Sequence, residues 1–291
     1  MKKYHIISNL TAGKKKEKTK NSLELVESVF LKNGANFQTH FSQCEKDATR
    51  IVRELTRAGE TNLIAHGGDG TLHEVLNGLA DPALCSLGLI PSGTGNDFAE
   101  KIGLPLDPVQ AAELILSTEA KPTDYLEVGG VRCMNVAGIG MDVDVLERCK
   151  KGKLKGKLKY LLSLVQSLFS FKGIKVQIES EGVVEERDVL IAAACNGSQF
   201  GGGIRICPVA DVSDGKLDTV IVDCIGGKMK IIKAFIELMK GRILQYPRAK
   251  HFRCEKLKFT PATPCTVQLD GELYKDLEFT VQVHNGLKFY R

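Results

Sequence analysis

Two hydrophobic spacings alternate along the chain up to about residue 120. Short apolar runs have the length and composition of β-strands at residues 4–7, 36–41, 62–66 and 87–90. Between them, apolar residues recur at every third or fourth position, which predicts helices from Ser22 and at residues 47–58, 72–79 and 109–116. Strands that alternate with helices indicate a doubly wound, mostly parallel α/β domain.

The pattern changes near residue 123. From there the chain shows short alternating or apolar runs, typical of antiparallel strands in a β-sandwich, at residues 125–128, 132–136, 174–178, 189–192, 217–222, 266–269 and 279–283. Helical spacing interrupts them at residues 154–171 and 228–240. Because the residue before a proline disfavours helix, we take Pro122 as the stop of the preceding helix. The predicted domains are therefore residues 1–123 and 124–291, with the last few residues allowed to return to the first domain.

Composition narrows the functional classes. The net charge of +5 gives no polyanion-binding signature, and the absence of tryptophan argues against a base-stacking surface, so no nucleic-acid partner is expected. The chain has no apolar span of 18 residues and no apolar N-terminal segment of signal-peptide length, which predicts a cytoplasmic protein. Its 9 cysteines include no C-x-x-C pair and favour buried thiols over a disulfide framework or a zinc site.

The sequence GGDGT at residues 67–71 joins a predicted strand to a predicted helix. In open α/β sheets such a turn presents backbone N–H groups and a helix N-terminus to phosphates. Asp69 would repel a bare phosphate unless a divalent cation stands between them, so it indicates a metal–nucleotide complex. The alternative is an ordinary glycine turn with Asp69 as a helix cap.

A second glycine loop, PSGTGNDF at residues 91–98, follows the next predicted strand. Two such loops should lie side by side at the carboxyl ends of neighbouring strands, where doubly wound sheets bind ligands. Neither loop is a P-loop, and neither is a dinucleotide fingerprint, because His73 stands where that motif needs glycine. Here too an ordinary turn, with Asp97 capping the next helix, is the alternative.

The two motifs together resemble the diacylglycerol kinase catalytic-domain family, in its soluble bacterial lipid-kinase branch. GGDGT alone is shared with NAD kinases, and the second motif narrows the choice. The resemblance implies a nucleotide-binding α/β domain, then a β-rich domain that closes an active-site cleft. It also implies a lipid kinase that requires ATP and Mg²⁺.

The resemblance assigns ATP to the first domain. Polar residues at the strand ends and both glycine loops are implied to contact the nucleotide: Asn9, Thr11, Gly13, Lys14, Ser42, Gly67, Gly68, Asp69, Gly70, Thr71, Leu72, His73, Thr94 and Asp97. Asp69 is implied to face magnesium. The chain departs from the family pattern where Leu10 replaces a proline and Ser42 replaces a threonine. Serine keeps the hydroxyl, and the loop after Asn9 loses rigidity but keeps its polar groups.

The second domain is implied to supply the base. Phosphoryl transfer to an alcohol needs a group that accepts the hydroxyl proton. The resemblance places this role on Glu272, in the sequence DGE at residues 270–272, where Asp-Gly alone indicates a hairpin turn. It also implies a structural Mg²⁺ at the Asp214 side chain and the carbonyls of Asp211 and Lys216, although a plain Asp-Gly turn explains these residues equally well.

A lysine-rich stretch at residues 150–159 precedes the apolar helix predicted at 154–171. We expect the lysines to meet an anionic membrane surface and the apolar face of the helix to pack on the sandwich. The expected partners are thus ATP and a lipid acceptor reached by peripheral contact at the inner face of the membrane, and a homodimer is left open. The sequence does not choose among diacylglycerol, monoacylglycerol, ceramide, sphingoid bases or another bacterial lipid.

Two other functions remain as alternatives. An NAD kinase would share the fold and the GGDGT loop, and the second loop and the DGE sequence weigh against it. A lipid- or nucleotide-sensing regulator without turnover would keep the binding residues, and intact Asp69, Thr94 and Glu272 weigh against that.

Overall fold

The computed structural model describes residues 2–9, 16–151, 157–224, 227–275 and 277–291, with the backbone only at residues 16, 18 and 157–161. The chain divides into two compact units. Unit 1 comprises Met1–Tyr125 and Asn285–Arg291, and unit 2 comprises Leu126–His284.

Unit 1 is an α/β domain around a parallel sheet. Five of its strands lie in the order β2-β1-β3-β4-β15: β1 (Lys3–Asn9), β2 (Asn36–Ser42), β3 (Asn62–Gly67), β4 (Ser86–Pro91) and the C-terminal end of β15 (Phe279–Tyr290). Five helices accompany them: α1 (Lys16–Lys32), α2 (Asp47–Arg57), α3 (Asp69–Gly78), α4 (Asp97–Lys101) and α5 (Pro108–Ser117). The four neighbouring pairs along this order are parallel.

Helices bury their apolar stripes on this sheet. Leu23, Val26 and Phe30 of α1 share one core with Ile115 of α5 and Ile64 of β3. Asp107 sets the start of α5, because its carboxylate accepts hydrogen bonds from the backbone N–H groups of the first turn at 3.0 Å. The central strands are covered on both faces, which explains why β3 and β4 read as unbroken apolar runs.

Unit 2 is built from antiparallel strands. Ten strands precede β15 in it: β5 (Ala120–Val128, from Leu126 onward), β6 (Val131–Cys133), β7 (Val136–Gly140), β8 (Ile174–Ser180), β9 (Val183–Cys195), β10 (Leu217–Asp223), β11 (Ala249–Cys254), β12 (Lys256–Pro261), β13 (Val267–Leu269) and β14 (Glu272–Tyr274). Its main path runs β14-β13-β7-β9-β8-β12-β15, and β10 pairs with β9 and β11. The helices described here are α6 (Met141–Lys151), α7 (Lys157–Ser170) and α8 (Lys228–Met239).

The long strand β9 separates two cores in unit 2. Ala192 and Ala194 face a core shared with Phe259 and Phe279. Ala193 and Cys195 face a second core, to which α7 and α8 contribute apolar side chains such as Leu168 and Leu238. Because both faces of β9 are buried here, its sequence is a continuous apolar run instead of an alternating one.

Several predicted elements need correction. The first helix begins at Lys16, before Ser22. Pro122 stops no helix, since α5 ends at Ser117 and Pro122 lies within β5. The structure adds α6, β11 and β12, which the hydrophobic pattern does not predict.

Helix α7 only partly fulfils its predicted packing. Leu164 and Leu168 are buried, Leu168 in the second core, whereas Leu162, Val165 and Phe169 are exposed. In the lysine-rich stretch, Lys150 and Lys151 lie in α6, residues 152–156 fall outside the described part of the chain, and side chains 157–161 are not described. No helix in the described ranges combines the length and apolarity needed to cross a bilayer.

Candidate active site

The carboxyl ends of the parallel strands in unit 1 bring the predicted nucleotide residues together. Asn9 ends β1 opposite Ser42, the last residue of β2. Gly67 ends β3 opposite Pro91, the last residue of β4. Four neighbouring strands therefore deliver polar or glycine-rich segments to one edge of the sheet, which is where doubly wound sheets bind ligands.

The two glycine loops lie against each other, as the sequence predicts. The backbone N–H of Ser92 donates to the carbonyl of Gly67 at 2.8 Å. A Cβ atom on Gly68 would lie 2.9 Å from the Cα of Gly93, and one on Gly93 would lie 2.5 Å from the Cα of Gly68. Since real Cβ atoms do not approach so closely, both positions require glycine, and the loops form one continuous backbone surface.

Asp69 joins the two loops. It is the first residue of α3, and its Oδ1 accepts a hydrogen bond from the backbone N–H of Phe98 at 3.3 Å. Phe98 lies in the first turn of α4, whose first residue, Asp97, is buried. The carboxylate thus stabilises the start of the neighbouring helix, which is a structural role different from capping its own helix.

The remaining loop residues divide by exposure. Thr71, Leu72 and His73 are buried, and a Cβ atom at Gly67 would overlap the Thr71 side chain. Gly70 and Thr94 are exposed at the surface of the loops. The backbone and Thr94 are therefore the groups most accessible to a ligand, while Leu72 and His73 hold α3 against the domain.

Ser42 is a buried hydroxyl at this edge. The residue is 2 % exposed, and its Oγ is buried without a hydrogen-bond partner among the described residues. A buried polar group without a partner is costly, so its position favours a bound polar ligand or an ordered water molecule. Thr11, Gly13 and Lys14, which the sequence also predicts here, lie outside the described residues.

A buried histidine, which the sequence analysis does not predict, lies beneath the first glycine loop. His66 precedes Gly67, and its two ring nitrogens hydrogen-bond to Ser8 Oγ at 2.8 Å and Ser22 Oγ at 3.1 Å. Burial lowers the pKa of His66 to about 4, so the ring is neutral near pH 7. This bridge connects β1, β3 and α1 directly below the glycine loop, and only tertiary structure reveals it.

In unit 2, Asp270 and Gly271 form the predicted hairpin turn. They connect β13 to β14 with positive φ angles of 51° and 88°. Both carboxylate oxygens of Asp270 accept backbone hydrogen bonds, from Met134 at 2.8 Å and from Asn135 at 2.7 Å. Asp270 therefore anchors the hairpin to the segment between β6 and β7.

Glu272 begins β14 directly after this anchored turn. Its side chain is 47 % exposed, and its Oε2 lies 3.8 Å from the Nζ of Lys150 in α6. The carboxylate is thus accessible to a substrate, held by a fixed hairpin, and oriented by a cationic neighbour. Accessibility is one requirement of a general base, and the role of Glu272 as proton acceptor stays a prediction.

Asp142 is a second carboxylate that the fold singles out. It lies in the first turn of α6 and is buried, with Oδ1 lacking a hydrogen-bond partner among the described residues. Burial raises the pKa of Asp142 to about 6. A carboxyl group whose pKa is raised by burial is typical of functional sites, where such a cost is tolerated.

Replacement of Asp142 by Asn should stabilise the protein at high pH. Because the pKa of Asp142 is higher in the fold than in the unfolded chain, the wild-type fold loses stability as pH rises from about 4 through 6. We expect the variant to gain about 3 kcal/mol in unfolding free energy at pH 8 and little at pH 4. Urea denaturation followed by circular dichroism at both pH values measures this gain in unfolding free energy.

Asp144→Asn, on the same helix and paired with Arg148 at 2.7 Å, is the control and should show no such gain. Equal effects of the two variants at pH 8 would contradict the assignment.

The predicted magnesium residues of unit 2 form a surface turn. Asp214 Oδ1 accepts from the backbone N–H of Lys216 at 3.0 Å, and Asp214 Oδ2 pairs with Arg253 at 3.0 Å. Asp211 Oδ1 accepts from the backbone N–H and the hydroxyl of Ser213. Arg253 already neutralises Asp214, so a bound cation would have to displace that guanidinium. Magnesium at this turn stays a prediction.

Two known family models match successive parts of the chain. Residues 3–128 match the diacylglycerol kinase catalytic domain, and residues 135–287 match the YegS C-terminal NAD kinase beta sandwich-like domain. Together with the strands described above, these matches confirm the predicted fold, an N-terminal doubly wound α/β domain followed by an antiparallel β-sandwich domain.

Individual relatives are similar over nearly the whole chain. The diacylglycerol kinase of Bacillus subtilis (strain 168) is 30% identical over 278 residues, covering 94% of this chain and 90% of the relative. A probable lipid kinase YegS-like of Xanthomonas campestris pv. campestris is 34% identical over 266 residues, covering 87% and 86%. A solved diacylglycerol kinase structure from Bacillus anthracis str. Sterne matches with a TM-score of 0.77 at 25% identity, covering 99% of this chain and 96% of that one.

Proposed function

Because this chain belongs to the diacylglycerol kinase catalytic-domain family of lipid kinases, we propose that it transfers the γ-phosphoryl group of ATP to a hydroxyl of a diacylglycerol-like lipid. The observation that carries the proposal is the contact between the two glycine loops, with the Asp69 carboxylate at their junction. This arrangement places backbone N–H groups, a hydroxyl and one acid together, which suits a triphosphate accompanied by a cation.

In the proposal, unit 1 binds the nucleotide. The loops of residues 67–71 and 93–97 cradle the phosphates, and Asn9, Ser42 and Thr94 contact ATP. The donor set fits magnesium, because a carboxylate, hydroxyls and phosphate oxygens are the hard ligands that it prefers. When bound, Mg²⁺ would neutralise charge on the phosphates, and Asp69 with Asp97 would hold it.

Unit 2 supplies the proton acceptor in the proposal. Glu272 takes the proton of the lipid hydroxyl as the hydroxyl oxygen attacks the γ-phosphorus, the bond from that phosphorus to the β,γ-bridging oxygen breaks, and ADP leaves. The support is the fixed hairpin, the exposure of the carboxylate and the neighbouring Lys150. Lys150 orients Glu272 and is not itself required to exchange a proton.

The exposed face of α8 supports the proposal that the lipid acceptor is taken from a bilayer surface. Met229 is 77% exposed, and Ile236 and Met239 are also exposed on this helix. Exposed lysines flank them at positions 228, 230, 233 and 240. Apolar side chains beside basic ones are typical of helices that lie in the interface of an anionic bilayer. We therefore propose peripheral contact with the inner face of the membrane.

The proposal is tested by the class of acceptor that receives phosphate. The purified chain is incubated with Mg²⁺ and ATP labelled in the γ-phosphoryl group, using phosphatidylglycerol vesicles that carry one acceptor at a time. The acceptors are diacylglycerol, monoacylglycerol, ceramide and a sphingoid base, with triacylglycerol as the control without a hydroxyl. NAD is offered in a parallel incubation without vesicles.

We expect label in a lipid product and none with triacylglycerol. Labelled NADP without any labelled lipid would replace the proposal by an NAD kinase. Retained ATP or vesicle binding without any product would instead favour a regulator that lacks turnover.

A further inference from the structure

A cluster of metal-ligating side chains lies in unit 2, apart from the residues proposed for phosphoryl transfer. Cys207, Asp218 and His251 each offer one ligand atom, and the three atoms lie within 4.8 Å of one another. Cys207 and Asp218 are buried, and the His251 side chain is 28% exposed. The cluster therefore has a closed inner side and one opening to solvent.

The strand pairing holds this cluster in place. On the antiparallel strands β10 and β11, Val220 pairs with His251 and Asp218 pairs with Arg253, so Asp218 and His251 are diagonal neighbours. On the other side of β10, Cys195 of β9 lies opposite Asp218, and Cys195 belongs to the same buried core as Cys207. One thiol, one carboxylate and one imidazole thus converge from three segments of unit 2.

The charge of Asp218 explains why a cation would bind here. A carboxylate that is 1% exposed needs strong compensation. Its described side-chain partner is His251, whose Nε2 lies 2.6 Å from Asp218 Oδ1. The cross-strand neighbour Arg253 is paired with Asp214 instead. The Asp–His hydrogen bond occupies a site that also contains softer sulfur donors.

From these contacts we infer that unit 2 binds Zn²⁺ through Cys207, Asp218 and His251, with a solvent molecule as the fourth ligand on the open side. Sulfur, nitrogen and carboxylate oxygen at about 2.0–2.3 Å are the ligands of tetrahedral zinc, whereas Mg²⁺ prefers oxygen alone. Binding replaces the Asp218–His251 hydrogen bond by two metal bonds. Each thiol that coordinates zinc releases its proton to solvent, so affinity rises with pH.

The test is zinc binding by the full chain, measured without any activity assay. Reduced, chelator-treated protein is titrated with Zn²⁺ against a chromogenic chelator, and separately with Co²⁺ in the spectrophotometer. We expect one equivalent of Zn²⁺, and a cobalt spectrum with a thiolate charge-transfer band and tetrahedral d–d absorption. Cys207→Ser and His251→Ala should each weaken zinc binding by about tenfold or more.

Matched controls separate this site from incidental thiol binding. Cys265→Ser removes a half-buried thiol of the same unit, and His284→Ala removes another imidazole, and neither should change zinc affinity. His251→Ala alters a partly exposed side chain, so circular dichroism should show that it folds. Wild-type protein that binds less than one equivalent, a cobalt spectrum without thiolate absorption, or unchanged affinity in both site variants would overturn the inference. These outcomes are independent of whether the chain phosphorylates a lipid.

Discussion

Replacement of Glu272 by Gln is expected to lower kcat for lipid phosphorylation by about 10²–10⁴-fold. Glutamine keeps the size of the side chain and its place after the Asp270–Gly271 turn, but it cannot accept the proton of the lipid hydroxyl. The KM for ATP should change little, because the nucleotide is proposed to bind unit 1. Steady-state kinetics with diacylglycerol-containing vesicles measures both constants.

Glu278→Gln is the matched control for this prediction. Glu278 lies in the same unit and also pairs with a lysine, Lys258, at 3.0 Å, but it is largely exposed and outside the proposed site. Its replacement should leave kcat near the wild-type value. If Glu272→Gln retained more than about a fifth of wild-type kcat, another group would have to accept the proton.

Replacement of Asp69 by Asn should lower kcat/KM for ATP by about 10²–10³-fold. The asparagine Oδ1 can still accept the hydrogen bond from Phe98, so the two loops should stay joined. What the variant loses is the negative charge that is proposed to hold the cation with ATP. The expected signature is weak activity with a raised Mg²⁺ requirement and a nearly unchanged melting temperature.

The Asp107→Asn variant is the control that separates the loss of a negative charge near ATP from the loss of a carboxylate that caps a helix. Asp107 also accepts backbone hydrogen bonds at a helix start, in the same unit, but it is exposed and lies outside both glycine loops. Its replacement should alter stability slightly and activity little. An Asp69→Asn variant with wild-type kcat/KM at low Mg²⁺ would show that Asp69 only connects the two loops.

The fold could be predicted where local pattern and burial agree. The strand–turn–helix segments of unit 1 are local, so the apolar runs ending at Gly67 and Pro91 locate both the sheet and the loops. Strands β11 and β12 were not predicted from the sequence. Basic residues alternate in them with only a few apolar ones, so the hydrophobic pattern is weak. Helix α6 was not predicted because apolar and acidic residues alternate from Met141 to Val145, a spacing typical of a strand.

In the candidate site, too, the local motifs could be predicted from the sequence and the long-range contacts could not. The two glycine loops carry their own signal, and the Asp-Gly turn before Glu272 is a local hairpin pattern. The contacts that hold these residues are not local. The pairing of Glu272 with Lys150 and the bridge from His66 to Ser22 join segments far apart in sequence, and only the folded chain brings them together.

Vesicle-dependent phosphate transfer by the wild-type chain tests the central claim most directly. The measurement is the initial rate at which γ-phosphoryl label from ATP enters the organic-soluble fraction, as the diacylglycerol content of phosphatidylglycerol vesicles is increased. The account predicts a rate that rises with diacylglycerol, saturates and requires Mg²⁺. A rate that does not depend on diacylglycerol, together with label recovered only in NADP when NAD is supplied, would contradict it.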